Sequence, residues 1–255
     1  MSGGMAGSLA RYGSVTLDEV VGGASLLTRV DRKYMMWRDE AERLLAGLPT
    51  GFRVLETDGQ RLSTYESVYF DTPDLLSFRL AARSRPRRFK LRTRAYLDAD
   101  AAYLEVKTRS TRRVTVKERM CYGIDERHEL TPLGRQYAVG TLAGAGVETA
   151  RVGVLEPVVT TRYRRGTLLQ PDGLSRATVD IDLSWQDADA GTLTLGDVAI
   201  IETKSGGHAS ALDRVLWAHG YRPESFSKYA TGLAALHPGL PSNKWHRPLT
   251  TYFTR

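Results

Sequence analysis

Positively charged side chains recur at every second position along several segments of this chain. Lys90-Leu91-Arg92-Thr93-Arg94 is the clearest run, and Glu105-Val106-Lys107-Thr108-Arg109, Arg162-Tyr163-Arg164 and Glu202-Thr203-Lys204 repeat the spacing. An extended strand turns residues i, i+2 and i+4 to one face, so each run aims its charges one way while Leu91, Val106, Tyr163 and Ile201 take the other. Arginine offers a planar, paired donor that matches the non-bridging oxygens of phosphate, and lysine a compact charge that tolerates sliding of a polymer. Carboxylates among them offer hard oxygen ligands to Mg²⁺ or Mn²⁺. Glu202, Glu105 and Asp180 are the candidates. Such a set suits phosphoryl transfer, which depends on positioning and charge neutralisation more than on covalent help from the protein.

The ordinary alternative is a half-solvated sheet whose polar face meets water. Two details argue against it. Lys90, Arg92 and Arg94 are all positive with no acid inside their own strand, and arginine outnumbers lysine in the runs. If several of these faces meet around one lumen, that lumen is wet or holds an anion, because like charges repel strongly in low dielectric.

The elements that would position these faces are mostly strands. Thr16-Leu17-Asp18-Glu19 has capping-box spacing and predicts a short helix through about Val21. Strands are expected over 27–36, 52–57 and 62–70, with a hairpin turn at Asp58-Gly59. A helix is predicted over 38–48 and a helical turn over 75–82. Strands follow over 87–96, 103–109 and 113–122, then a helix over 132–143. Strands over 158–169 and 176–184 flank a turn at Pro171-Asp172-Gly173, and one last strand runs over 193–204. Helices near 209–219 and 227–236 close the pattern. Residues 1–10 are small and read as a flexible segment, and the tail after His237 as an ordered wrap or a loose end. Long strands in hairpin succession without βαβ alternation predict an α+β protein: an antiparallel eight-stranded β-barrel or tunnel with flanking helices. Its expected organisation is a segment 1–26 with a short helix, a main domain 27–237 and a tail 238–255.

Composition narrows the function classes. The 255 residues carry 36 basic against 29 acidic side chains, a net charge of +7 that attracts anionic partners without naming them. No apolar run is long enough to span a bilayer, and no charged start precedes an apolar stretch as in a signal peptide. The single cysteine, Cys121, excludes an internal disulfide and fits a reducing, cytoplasmic location. No nucleic-acid partner is expected, since there is neither an aromatic stacking motif nor a basic recognition helix. Lys204-Ser205-Gly206-Gly207 lacks the upstream glycine arrangement of a P-loop. The five histidines lack metal-ligand spacing and are taken as surface or capping residues. Tyr69 and Phe70 are taken as barrel-wall or helix-packing residues.

Taken in order, the motifs resemble the polyphosphate-polymerase domain of the vacuolar transporter chaperone (VTC) family, a branch of the triphosphate tunnel (CYTH-like) metalloenzymes. The resemblance rests on Arg29-Val-Asp31-Arg-Lys33-Tyr34, Ser67-Val-Tyr69-Phe70-Asp71-Thr72, Lys90-Leu-Arg92-Thr-Arg94-Ala-Tyr96 and Leu104-Glu105-Val-Lys107. Thr161-Arg162-Tyr163, Arg176-Ala-Thr178-Val-Asp180, Glu202-Thr-Lys204 and Ser227-Lys228-Tyr229 complete it. It implies a tunnel of eight antiparallel strands that binds ATP and triphosphate or polyphosphate with Mn²⁺ or Mg²⁺. By the same resemblance Lys33, Arg92, Arg94, Lys107, Arg162, Arg176, Lys204 and Lys228 grip phosphate and Glu202 holds the metal. Within that set Arg92, Arg94, Lys107 and Lys204 are expected to be catalytic. Lys90, Arg164 and Lys117 are counted with the phosphate-binding group, and Glu105 and Asp180 with the metal ligands. Asp182 is expected to make structural ion pairs.

Hydrolytic tunnel enzymes typically open with Glu-x-Glu-x-Lys, whereas this chain has Arg29-x-Asp31-x-Lys33. Fewer carboxylates weaken support for a second, water-activating metal and favour retention of a phosphate chain. The expectation is therefore a polymerase that moves the γ-phosphate of ATP onto polyphosphate. A tripolyphosphatase or nucleoside triphosphatase is its rival within the fold, and a polyphosphate or inositol-phosphate binding module the non-catalytic alternative. The membrane segments that accompany the domain in eukaryotic relatives are missing here, which leaves room for a separate membrane partner.

Overall fold

The structure, a computed structural model, describes residues 4–22, 30–109, 115–149 and 152–253. Arg29, the first residue of the opening motif, lies outside them. In chain order the first elements are α1 (Met5–Ala10), β1 (Gly13–Val15), α2 (Leu17–Gly22), β2 (Val30–Trp37), α3 (Arg38–Ala46) and β3 (Arg53–Leu55). The middle comprises β4 (Ser63–Asp71), α4 (Leu76–Ala82), β5 (Phe89–Tyr96), β6 (Ala101–Arg109), β7 (Thr115–Tyr122) and α5 (Pro132–Gly144). The last are β8 (Glu156–Leu169), β9 (Arg176–Asp187), β10 (Gly191–Leu195), β11 (Val198–Ser205), α6 (Ala211–Ala218), α7 (Lys228–Leu236) and α8 (His246–Tyr252).

The strands form one sheet whose main path has the order β2-β11-β9-β8-β4-β5-β6-β7. The ladders β2–β11, β11–β9, β4–β5, β5–β6, β6–β7 and β3–β8 are antiparallel, and the short β1–β3 pair is parallel. The α+β class and the eight-strand antiparallel path match the expectation, but among the described residues the path is open, ending at β2 and β7. β7 suits an edge: most of its side chains are exposed and Lys117, Glu118 and Arg119 put charge along it.

The chain divides into two compact units, Met1–Thr64 with Tyr163–Leu183 and Leu195–Ser225, and Tyr65–Arg162 with Ser184–Thr194 and Phe226–Arg255. In the first, Tyr34 and Met36 of β2, Ala199 and Ile201 of β11, Ala177, Val179 and Ile181 of β9 and Leu168 of β8 share one sheet face. That face packs on Leu44 and Leu45 of α3 and on Leu212 and Leu216 of α6. Each such buried aliphatic side chain contributes roughly 1.5–3 kcal/mol. Asp213 ties α6 to the sheet. Ser210 caps the helix, and the Asp213 carboxylate accepts from the Ser210 backbone nitrogen and from Arg32, Tyr34 and Thr203.

In the second unit Val68 and Phe70 of β4, Phe89 and Leu91 of β5, and Leu104 and Val106 of β6 pack on Ala138 and Leu142 of α5. Thr131 caps α5, with proline at its first turn. In a second layer Phe78 of α4 packs on Tyr229 of α7 and on Trp245. Gly232 is required where α7 crosses Trp185, because a Cβ there would run into the indole ring.

Four local expectations are corrected. Residues 5–10 form a helix, because Met5 and Leu9 are large enough to seal the first core. Asp58 and Gly59 both take the left-handed conformation of a tight turn, yet only Thr57 and Gln60 bridge across it. β3 pairs with β1 and β8 instead of returning along β4. The last strand is two strands, β10 and β11, broken at Gly196-Asp197. The tail is an ordered wrap: Trp245 and Tyr252 are buried, and Phe253 packs on Trp185.

Candidate functional site

Strand alternation divides each charged motif between two jobs. In Asp31-Arg32-Lys33-Tyr34 the second and fourth residues bind Asp213 and hold the fold. The first and third face the other way. Register then sets Glu202 between Lys33 of β2 and Thr178 of β9, and Lys204 between Asp31 and Arg176. Lys204 donates to Glu202 at 2.7 Å. Arg165 grips Asp180 with paired bonds of 2.6 and 2.8 Å. Burial alone would raise the Glu202 carboxyl, but Lys204, Lys33 and Arg165 outweigh it and hold its pKa well below the usual range. Burial lowers the Lys204 ammonium, and Glu202 opposes that shift only in part.

The second unit carries a longer row. Antiparallel register aligns Lys90 with Lys107, Arg92 with Glu105, and Arg94 with Tyr103. On β7, Lys117 stands opposite Lys107 and Arg119 opposite Glu105. Glu105, only 2% exposed, is the acid that β5, β6 and β7 place on this face. It receives Arg92 through two nitrogens at 2.8 and 2.6 Å and Lys117 at 2.5 Å on its other oxygen. Its burial would raise the pKa, and Arg92, Arg94 and Lys117 drive it far down instead. Arg92 also donates to the Tyr69 hydroxyl at 3.0 Å, Arg94 lies over the Tyr65 ring, and Lys90 donates to Ser227 at 2.7 Å. Lys107 is exposed.

The motifs around Asp71 and Tyr229 brace this row. Asp71 is fully buried and accepts from the backbone of Thr72, Ser77 and Phe78 at the start of α4 and from the Tyr229 hydroxyl. Tyr229 stacks on Tyr69, which in turn meets Arg92. Tyr69 thus stands on the charged face, while Phe70 is core. Lys228 opens α7, and its carbonyl accepts from Trp185.

β8 overturns part of the expected grouping. Arg162 and Arg164 have the parity of Leu168, which lies in the apolar core. Arg162 pairs with buried Glu66, which lies on the Val68–Phe70 side of β4 and also receives Arg127 at 2.7 Å and His128 at 3.1 Å. Arg164 pairs with Asp182, which also holds Arg38. Neither arginine shares a face with the charged clusters. The side chain that does is Arg165, whose parity is that of Tyr163. The signal was present in Tyr163-x-Arg165, but a neutral tyrosine hid the phase, and a shift of one residue moves a whole strand to its other face. Arg119, Arg127 and His128 were also missed, since their partners are distant in sequence.

The three candidate metal ligands are divided between the two units. Glu105 belongs to the second unit, Glu202 and Asp180 to the first, and each already holds a cationic side chain. Among the described residues no three His, Cys, Asp or Glu side chains group to hold a metal ion. These donors fit a divalent ion whose shell is completed mainly by phosphate oxygens and water, with Glu202 as one ligand, better than a bare ion held by protein alone.

In each unit the sheet buries one face under helices and carries lysine, arginine and carboxylates on the other. The VTC domain model matches residues 28–237, and the chain belongs to that family. Among solved structures the chain is similar to HpAC1 from Hippeastrum, described as an adenylyl cyclase candidate with a dominant triphosphatase activity. Identity is 17%, coverage 85% of this chain and 100% of that one, and the TM-score 0.49. A conserved hypothetical protein from Pyrococcus furiosus is 14% identical over 76% of this chain and 88% of its own, with a TM-score of 0.39. No match was found among curated proteins. No helix is long and apolar enough to cross a membrane among the described residues.

Proposed function

We propose that this chain is a polyphosphate polymerase that moves the γ-phosphate of ATP onto a phosphate chain. The observation that carries the reading is the Lys90-Arg92-Arg94 row, flanked by Lys107 and Lys117, with Glu105 as the acid that pairs with Arg92 and Lys117. Such a surplus of close cations is costly without an anion and is relieved by one carrying several charges. A terminal oxygen of the acceptor phosphate attacks the γ-phosphorus. The bond from that phosphorus to the β–γ bridging oxygen breaks, and ADP leaves with that oxygen. Arg92 and Arg94 donate to non-bridging oxygens, where charge is spread in the transition state. Glu105 sets the pose of Arg92 and Lys117. In the first unit Lys33, Lys204 and Arg165 offer further donors to phosphate, and Glu202 one oxygen to Mg²⁺ or Mn²⁺. When bound, that ion supplies Lewis-acid neutralisation of phosphate charge.

The purified protein, given ATP, Mn²⁺ or Mg²⁺ and a phosphate primer, is expected to form long polyphosphate and ADP in step. Free phosphate without polymer would select the hydrolytic rival. Tight tripolyphosphate binding with no turnover under either metal would select a binding module.

A further inference from the structure

The cationic row does not stop at the strand ends. Arg88 precedes β5 and has the parity of Lys90, Arg92 and Arg94, and Arg109 closes β6 with the parity of Lys107. Their backbones meet, the Arg109 nitrogen donating to the Arg88 carbonyl at 3.0 Å. A third cation comes from the C-terminal segment, beyond the residues that match the family. Lys244 reaches the Ala81 carbonyl at the end of α4 with a bond of 2.7 Å and lies over the Trp245 ring. Arg88 donates to the Arg85 carbonyl at 3.3 Å. All three side chains are half-buried. Among the described residues none of them forms an ion pair with a carboxylate; the contacts just named go to carbonyls and a ring. Burial, then the charge of Arg109, lowers the Arg88 pKa; burial, then Arg88 and Arg109, lowers that of Lys244. The group is thus a set of mutually repelling cations in which carbonyls hold the Arg88 and Lys244 side chains and the strand pairing places Arg109.

We infer that Arg88, Arg109 and Lys244 form a distal phosphate subsite, which takes the part of a long polyphosphate chain that extends past the Lys90-Arg92-Arg94 row. From Arg94 to Arg88 the row spans about 20 Å of strand, longer than a triphosphate. The subsite therefore makes affinity depend on chain length. The inference rests on the row being a phosphate grip, and it does not require turnover.

The test measures binding of tripolyphosphate and of long-chain polyphosphate to the whole protein by calorimetry, without nucleotide. The variants are Lys244→Gln, Arg88→Gln with Lys244→Gln, and Arg222→Gln as an exposed charge control. Glutamine keeps a donor for the Ala81 carbonyl, and thermal unfolding checks that each variant is folded. The double variant is expected to bind the long chain about tenfold more weakly, the scale of one or two charged hydrogen bonds, and tripolyphosphate as the wild type does. Equal weakening of both ligands, an unchanged long-chain affinity, or the same loss in Arg222→Gln would overturn the subsite. Single-stranded DNA displacing polyphosphate phosphate for phosphate would overturn its assignment to polyphosphate. If no polymer forms from ATP while the chain-length contrast holds, the polymerase reading fails and the subsite stands.

Discussion

In the first unit four cations, Lys33, Lys204, Arg165 and Arg176, share a face with three carboxylates, Asp31, Glu202 and Asp180. In the second, Lys90, Arg92, Arg94, Lys107, Lys117 and Arg119 share a face with two, Glu105 and the Asp71 of β4. The first cluster nearly neutralises itself and persists as a hydrogen-bonded network. The second keeps a surplus of positive charge on its strand face.

The comparison breaks most visibly at Arg92. Arg92→Ala is expected to lower phosphate transfer by about 10²–10³-fold, the cost of removing a donor aimed at developing charge. Arg162→Ala, on the other face, should change the rate by less than about threefold. Equal losses would undo the parity assignment of β8. Glu105→Gln comes next. It leaves Arg92 and Lys117 without their acid, and removing one partner of such a buried pair costs about 3 kcal/mol in urea unfolding. Tripolyphosphate should restore much of this loss, since a ligand at 100 times its Kd adds about 2.7 kcal/mol. No differential rescue would mean that the row is not a phosphate site.

Acid sharpens the same contrast. Glu105 and Glu202 have depressed folded pKa values, so their stabilisation is complete above the ordinary value of 4.5 and is lost as pH falls below it. Asp71 runs the other way: burial raises it above 3.8, so protonation in acid relieves a penalty. The urea midpoint is expected to stay flat from pH 7 to 5 and then drop, with a shallower acid limb in Glu105→Gln. An unchanged limb would place the acid sensitivity elsewhere. The smallest effect belongs to Arg164→Ala. Its pair with Asp182 is largely exposed, so stability should move by less than about 1 kcal/mol and turnover not at all. Arg165→Ala, one residue on, should impair both.

The alternation of charge with apolar residues was legible without coordinates, because a pleated strand has a period of two and leaves no freedom in which neighbours share a face. That reading placed Lys90, Arg92, Arg94, Lys107, Glu202 and Lys204 correctly on polar faces, and it predicted most helices and strands within a few residues. It took the opposite phase for β8, grouping Arg162 and Arg164 with the charged faces, where the packing of Leu168 puts Arg165 instead. It could not see partners brought from afar. Glu66 collects Arg127, His128 and Arg162 across long separations, and Lys244 reaches the end of α4 from a tail with no charge pattern of its own. Local periodicity determined which residues point together; which side is buried, and which distant charges meet there, followed from how the sheet packs on its helices.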